Sequence, residues 1–327
     1  MAIVSNTFTR YGAKGLREQL SNVIYDISPM ETPVLSGASK GSARQTLFEW
    51  QVDSLASAVT TNAQLEGDDI DAFPSVVATS RVGNYVQISR KLLILSDTLE
   101  EVDKAGRQSE LAYQMAKRGR EIKRDMEATI LSNQGGDAGG TATARQTATL
   151  GAWLKSNVDK AAEGDNPTYT SGVPSAARTD ATASEVRALT ETIFKNVIQT
   201  SWTSGANVDA MIAFAGPVNK QKISSFSGVV TRNFDIASAK PTAVIAAVDV
   251  YVSDFGTVRV MPTRHGRERD VYFLDFEYIG IETLRPFKTV KLAKTGDAEK
   301  RMLLIEWGLK VKNEAALGLA ADLTTTA

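Results

Sequence analysis

The sequence predicts an α+β fold whose sheets are completed late in the chain. Strand-like alternation occurs in residues 46–93 and returns in residues 271–312. The strongest helical periodicity lies between these regions, in residues 98–133, and a mixed α/β stretch follows in residues 184–262. Because strands return after a long helix, the sheets must pair segments that are far apart in sequence.

Composition rules out several classes of chemistry. The chain has 327 residues, of which 43% are hydrophobic and 23% charged, as in ordinary globular proteins. It has no cysteine and one histidine, His265, which excludes disulfides, cysteine catalysis and metal sites built from thiolates or several histidines. The net charge of −1 gives no overall field that would attract nucleic acid or a membrane surface.

Targeting and membrane segments are not expected. No stretch approaches the roughly 20 consecutive apolar residues that a membrane-spanning helix needs. The N-terminal sequence MAIVSNTFTRYGAKGLREQL lacks the basic region and apolar run of a signal peptide. We therefore expect a soluble protein that is made in a reducing cytoplasm and does not enter a membrane.

Residues 1–45 are predicted to form an N-terminal arm. The segment Gly15–Ile27 can form a short helix with an apolar stripe, and the two prolines of SPMETPVL then interrupt regular structure. The stripe needs burial against another element, which favours an arm over the alternative of a mobile terminus.

Residues 46–95 are predicted to form a long β-hairpin, the extended loop. QTLFEWQVDSL and NYVQISRKLLIL alternate as strands, and a polar, acidic stretch from Thr60 to Ser80 joins them. Because a two-stranded hairpin alone is marginally stable in water, we expect this one to be covered by its own domain or by a neighbouring subunit.

Residues 96–183 begin with the clearest helix of the sequence. Thr98 and Glu101 have the spacing of a capping box, and a helix of roughly 40 Å is predicted over Arg107–Asn133. Its apolar stripe comprises Leu111, Met115, Ile122, Met126 and Ile130. Two i,i+4 pairs of opposite charge are predicted along it, Lys117–Glu121 and Lys123–Glu127. We expect a charged spine that buries a narrow seam on a sheet.

The remaining segments predict loops, an α/β unit and late strands. Residues 135–149 and 163–182 are predicted to be surface loops without a phosphate-binding fingerprint. Residues 184–262 are predicted to contain an amphipathic helix over ASEVRALTETIFKNVIQTSW, a buried strand in DAMIAFAG, a helix start at Pro217 and a hairpin turning at Asp254–Gly256. Residues 263–327 supply the late strands VYFLDFEYIGIETL and MLLIEWGLKVKN.

One acidic cluster is the main candidate for chemistry. LEGDDIDAF (Leu65–Phe73) contains Glu66, Asp68, Asp69 and Asp71. Its spacing does not match an EF-hand loop. Three interpretations stay open from the residues alone: a divalent-cation site, a solvated loop, or an acidic tip that docks on a basic surface of another subunit.

A basic segment, RHGRERD (residues 264–270), is the other candidate. It fits either a phosphate site or a solvated turn around Gly266. The sequence contains no G-x-S-x-G, H-E-x-x-H or Walker motif.

The order of elements and three stretches of sequence resemble a known family. The stretches are FEWQVDSLA near residue 50, YVQISRKLLILSDTLEEVDKAGRQSELAYQMAKRGREIKRDMEATIL at 85–131, and LRPFKTVKLAKTGDAEKRMLLIEWGLKVKNEAALGLAADL at 284–323. They resemble the major capsid proteins of tailed bacteriophages with the Hong Kong 97-like fold, in the branch of the podovirus-like major head proteins. The resemblance implies an N-terminal arm (1–45), an extended loop (46–95), a peripheral domain with the spine helix (96–183 and 263–327) and an axial domain (184–262).

The resemblance also implies function. The chain would assemble with itself into hexameric and pentameric capsomers of an icosahedral virion in the bacterial cytoplasm. It would enclose double-stranded DNA without sequence-specific binding, with a portal protein and a scaffolding or decoration protein as further partners. No catalysis and no cofactor are implied. Two alternatives are an encapsulin-type protein compartment and a metal-dependent hydrolase that uses the acidic cluster.

The resemblance gives the acidic cluster a proposed role in contacts between subunits. We expect Glu66, Asp68, Asp69 and Asp71 to meet basic residues of a neighbour's spine. The candidates are Lys117, Arg118, Arg120, Lys123 and Arg124. Some relatives cross-link subunits through a lysine and an asparagine, but residues 51–80 contain no lysine, so we predict a non-covalent shell.

Overall fold

The computed structural model describes residues 31–67, 75–103, 108–226 and 250–326. The helices are α1 (Pro33–Gly37), α2 (Asp97–Glu101), α3 (Glu110–Ile130), α4 (Leu150–Trp153), α5 (Glu191–Thr203) and α6 (Pro217–Ser224), with 3-10 turns at Val208–Ala210 and Glu314–Ala316. The first seven strands are β1 (Ser39–Ser42), β2 (Leu47–Val52), β3 (Ser80–Tyr85), β4 (Gln87–Ser96), β5 (Val158–Asp159), β6 (Thr168–Thr170) and β7 (Val173–Ala176). The others are β8 (Ile212–Ala215), β9 (Val250–Ser253), β10 (Gly256–Pro262), β11 (Val271–Leu274), β12 (Ile279–Lys291), β13 (Ala298–Val311) and β14 (Gly318–Ala320).

A four-stranded sheet in the order β1-β12-β13-β4 supports the spine helix. Strands β12 and β13 are antiparallel, and β13 pairs with β4 from Ala298 opposite Ser96 to Trp307 opposite Gln87. Strand β1 runs parallel to β12 along the outer edge. The prediction that late strands return to early ones is therefore confirmed.

The spine helix α3 is slightly shorter than predicted, and its cap differs. The side chain of Ser109 caps it, and the carboxylate of Glu100 accepts two further amide hydrogen bonds from its first turn. The predicted capping box at Thr98 and Glu101 is wrong, because the hydroxyl of Ser96 caps a separate short helix there, α2. Helix α2 ends at Glu101, and the backbone is extended at its C-cap residue, Val102.

The predicted apolar stripe of the spine is largely confirmed. Ile122, Met126 and Ile130 are buried against the sheet, whereas Leu111 and Met115 nearer the N-terminal end are half-buried. The burial therefore deepens toward the C-terminal half of the helix, where α1 and the sheet both contact it.

A second, six-stranded sheet has the order β5-β14-β11-β8-β10-β9, and helices α5 and α6 pack on it. Helix α5 begins at Glu191, later than predicted, because Thr190 caps it through a hydrogen bond from the amide of Ile193. The predicted helix start at Pro217 and the hairpin turn at Asp254–Gly256 are confirmed. The strands of this sheet come from several of the five segments predicted from the sequence (1–45, 46–95, 96–183, 184–262 and 263–327). The boundaries of those segments stay a prediction.

The base of the extended loop is a short hairpin of β2 and β3, paired from Leu47 opposite Tyr85 to Val52 opposite Ser80. The predicted return strand divides at Val86, after which β4 leaves the hairpin and joins β13. A second hairpin, β6–β7, braces the base: the amide of Gly83 donates to the carbonyl of Gly172 over 3.2 Å.

The predicted surface loops are partly interior. Thr147, Ala148 and Thr149 are fully buried. The side chain of Asn84 bonds both the amide and the carbonyl of Ala148 and also donates to the carbonyl of Leu309 over 2.6 Å. The loops are drawn inward because they satisfy polar groups at the junction of hairpin and sheet. Among the described helices, none is long and apolar enough to cross a membrane.

Candidate assembly surfaces

The outer part of the extended loop, residues 53–67 and 75–81, is exposed in a single copy of the chain. Leu55 is 99% exposed, Val76 is 97% exposed and Leu65 is 80% exposed. Glu66 is exposed beside them, before Gly67, which has a positive φ of 83°. Asp68, Asp69 and Asp71 lie outside the described residues, as does the predicted arm helix. The loop thus presents apolar side chains as well as acidic ones.

The basic residues predicted on the spine divide into two groups. Lys117, Arg120 and Lys123 are exposed, whereas Arg118 and Arg124 are half-buried. Arg118 donates to Glu121 over 2.6 Å, so the predicted pair of Glu121 with Lys117 is replaced by one with the residue three positions earlier.

The acidic residues of the spine are all engaged within the chain. Glu110 accepts from Gln114 and Glu121 from Arg118, and Asp125 pairs with Lys91 of β4 over 2.6 Å. The fourth acid is Glu127, whose predicted pair with Lys123 does not form, because two backbone amides of α1 bond its carboxylate.

Fewer of the spine's basic residues than of its acidic residues form salt bridges or hydrogen bonds that tie them to other parts of the chain. In the described part of the chain, no salt bridge joins Lys117, Lys123 or Arg124 to an acid. With the acids turned toward internal partners, the solvent side of α3 is positively charged.

The opposite face of the four-stranded sheet carries exposed apolar side chains along β4, with Arg90 exposed among them. Along β4, Lys91 and Leu93 point toward α3, so the alternating residues point away from it. Of these, Ile94 is 62% exposed, Leu92 is 53% exposed and Ile88 is also exposed. The sheet and its helix therefore present a basic face on one side and exposed apolar side chains of β4 on the other.

A buried ion network lies where the sequence predicted a solvated turn or a phosphate site. Arg178 donates to Asp270 over 2.9 Å and to Asp322 over 3.3 Å, and all three side chains are fully buried. Arg267 pairs with Asp270 over 3.0 Å, and Arg269 with Asp322 over 3.1 Å. Arg267 and Arg269 of RHGRERD are thus engaged within the chain, whereas Arg264 is exposed and lies 3.8 Å from Glu31, so the segment is a turn that is only partly solvated.

The network fastens the C-terminal segment to the rest of the fold. Asp180 adds a third carboxylate, which bonds both Arg178 and Arg267. Burial raises the pKa of Asp270, and the adjacent guanidinium groups of Arg178 and Arg267 oppose that rise. Asp322 holds the left-handed φ of 58° with its carboxylate fixed by two arginines. The alternation of arginine and aspartate in ARTDA and RERD is the only sequence pattern that hinted at this network.

Metal and acid–base chemistry have little support in the described regions. There, no group of three or more histidine, cysteine, aspartate or glutamate side chains could hold a metal ion. His265 is half-buried, and burial together with the positive charges of Arg124 and Arg264 lowers its pKa, while Glu31 acts in the opposite direction. The net shift favours the neutral form of the imidazole.

Comparison with known proteins decides the family. A family model described as the SU10 major capsid protein matches residues 3–324. The chain belongs to this family. The major capsid protein of Escherichia phage Phieco32 is 41% identical over 130 residues, which cover 39% of this chain and 36% of that protein. The aligned region thus spans little more than a third of that curated relative.

Solved structures share the fold of this major capsid protein. The capsid asymmetric unit of cyanophage A-1(L) is similar with a TM-score of 0.64 at 11% identity, covering 95% of this chain and 98% of that one. The SrpI encapsulin of Synechococcus elongatus PCC 7942 is similar with a TM-score of 0.52 at 10% identity, covering 96% and 94%. The Hong Kong 97-like fold predicted from the sequence is confirmed, and the chain is a structural component of a phage virion.

Proposed function

We propose that this major capsid protein assembles with copies of itself, as hexameric and pentameric capsomers, into an icosahedral head that encloses double-stranded DNA without reading its sequence. A portal protein would occupy one vertex, with a scaffolding or decoration protein as a further partner. In this role the protein has no catalytic activity and no cofactor.

The exposed extended loop is the observation that carries the proposal beyond family membership. Leu55 and Val76 are almost completely exposed in one copy of the chain. Covering a large apolar side chain stabilises by about 1.5–3 kcal/mol, so the loop gains most when a neighbouring subunit buries it. The exposed apolar side chains of β4, among them Leu92 and Ile94, offer a second surface that association would cover.

We further propose that the acidic tip, Glu66, Asp68, Asp69 and Asp71, meets the basic face of a neighbouring spine. The engagement of every spine acid within the chain supports this pairing, because it leaves that face positive. Lys117, Lys123 and Arg124 are the stronger candidates, Arg118 is the weaker one because it already bonds Glu121, and Arg120 stays a candidate. Each exposed pair contributes about 0–1 kcal/mol. Many repeated pairs would therefore set the relative position of neighbouring subunits more than the strength of their association.

Electron microscopy of the purified protein, together with its mass in solution, tests assembly. Closed shells, or hexamers and pentamers, are expected, and a stable monomer that binds a divalent ion and turns over a substrate would contradict the proposal. Packaged DNA and a portal distinguish a phage head from an encapsulin-type compartment.

Charge reversal tests the acidic tip. Asp68→Lys with Asp69→Lys should impair assembly, more strongly at low salt, and Lys117→Glu with Lys123→Glu should partly restore it. Glu185→Lys is the matched control, because Glu185 is exposed and belongs to neither the extended loop nor the spine helix. If the loop variant assembles like wild type at both salt concentrations, the pairing is wrong. If the spine variant, Lys117→Glu with Lys123→Glu, is the only one impaired, and if its defect is a loss of packaged DNA, the basic face contacts DNA instead.

A further inference from the structure

Glu127 is the one spine acid that bonds no side chain. Its carboxylate accepts from the amide of Val34 over 3.0 Å and from the amide of Leu35 over 2.7 Å, across 93 and 92 residues of sequence. Both amides belong to the first turn of α1, where backbone donors have no partner within the helix. The last turn of the spine therefore caps a helix of the N-terminal region.

Helix α1 has no cap of its own. Thr32 occupies the N-cap position, but its side chain makes no capping hydrogen bond, and Pro33 follows it without an amide proton. A five-residue helix is also too short to be stable alone. Docking on Glu127 thus supplies what the local sequence lacks.

The carboxylate in turn depends on α1. Glu127 is fully buried, and in the described part of the chain no salt bridge joins it to a cation. Burial raises its pKa, and the two amide hydrogen bonds oppose that rise. Because a buried carboxylate without partners is costly, the spine and α1 stabilise each other at this point.

The segment that contains α1 lies at an edge of the fold. Residues 33–42, which we call the strap, comprise α1 and the edge strand β1, whose four residues are all exposed. Val34 and Ala38 are its buried apolar residues, and β1 pairs only with β12. The strap lies at the edge of the domain, so its departure would leave the β12-β13-β4 pairing intact.

We propose that Glu127 is a latch that fastens the strap to the spine helix, so that the strap detaches and docks as a unit while the sheet beneath it stays folded. Because the strap is part of the predicted N-terminal arm (residues 1–45), this latch joins that arm to the last turn of the spine helix. The inference concerns a single chain and does not depend on how copies assemble.

Hydrogen exchange on the full-length chain, read by mass spectrometry, tests the latch. In wild type, peptides covering residues 33–42 should exchange before peptides of β13. In Glu127→Gln, whose amide group can accept only one of the two bonds, exchange of the strap should rise about tenfold or more, with β4 and β13 unchanged. Glu121→Gln, which removes a carboxylate from the same helix, is the matched control and should leave the strap unchanged.

A restored cap gives an independent test. Thr32→Asp places an N-cap acceptor beside α1, so it should return much of the lost protection to Glu127→Gln. If the strap and β13 exchange only together, or if Glu127→Gln leaves the strap unchanged or accelerates the whole domain equally, the latch is overturned.

Discussion

Removal of the Arg178 guanidinium tests how much the buried network contributes to stability. Arg178→Met keeps the apolar length of the side chain but removes its bonds to Asp270 and Asp322, both fully buried. Breaking a buried pair typically costs about 3–5 kcal/mol, because the remaining charge is left uncompensated. Here Asp270 keeps Arg267 and Asp322 keeps Arg269, so we expect a loss near the lower limit, about 3 kcal/mol.

Urea unfolding of the unassembled chain measures this loss. Arg81→Met is the matched control, because Arg81 pairs with Glu49 over 3.1 Å but its side chain is 71% exposed. The control should lose no more than about 1 kcal/mol. If Arg178→Met loses no more than the control, the network does not hold the C-terminal segment, and the argument from burial fails.

Three further predictions follow from single features. Gly172→Ala should displace the extended loop and cost about 1–3 kcal/mol in urea unfolding, because the new Cβ would lie 2.1 Å from the carbonyl oxygen of Arg81 and φ is +82°; unchanged stability and unchanged exchange in β3 would contradict it. The pKa of Glu127 is raised above 4.5 in the native state. Its pH-dependent contribution to the free energy of unfolding is therefore present below pH 4.5 and is lost as pH rises through the native pKa. The unfolding free energy of wild type minus that of Glu127→Gln should therefore become smaller between pH 4.5 and neutrality. If this difference grew instead, the pKa of Glu127 would be lowered in the native state and not raised. Assembled shells should run as monomers on a denaturing gel, since residues 51–80 contain no lysine, and a ladder of covalent multimers would refute this.

The elements that the sequence predicts well are those with a long local period. The spine was expected over Arg107–Asn133 and spans Glu110–Ile130, because its apolar stripe repeats over several turns. The helix before β8 was placed correctly but begun too early, since nothing local distinguishes the buried Leu189 from a first helical turn.

The elements that escaped prediction depend on distant partners. Glu127 has a lysine one turn away, which favours a local pair, yet its partners lie in α1. Thr147 and Thr149 look like loop residues but satisfy polar groups beneath the extended loop and the sheet. The arginines of the ion network bond carboxylates up to 144 residues away. Local periodicity carries no information about such contacts.

The central position of β13 has a consequence for synthesis of the protein. Strand β4 finds its partner about 200 residues later in the chain, since Ser96 pairs with Ala298. At about 5–20 residues per second, the ribosome adds these residues in roughly 10–40 s. During this time β4 has no strand to pair with, and the apolar residues of the spine have no complete sheet to pack on. A truncated chain that ends before β13 never closes that sheet. The topology therefore acts as a check on completeness, because only a fully translated subunit acquires the surfaces with which a shell is built.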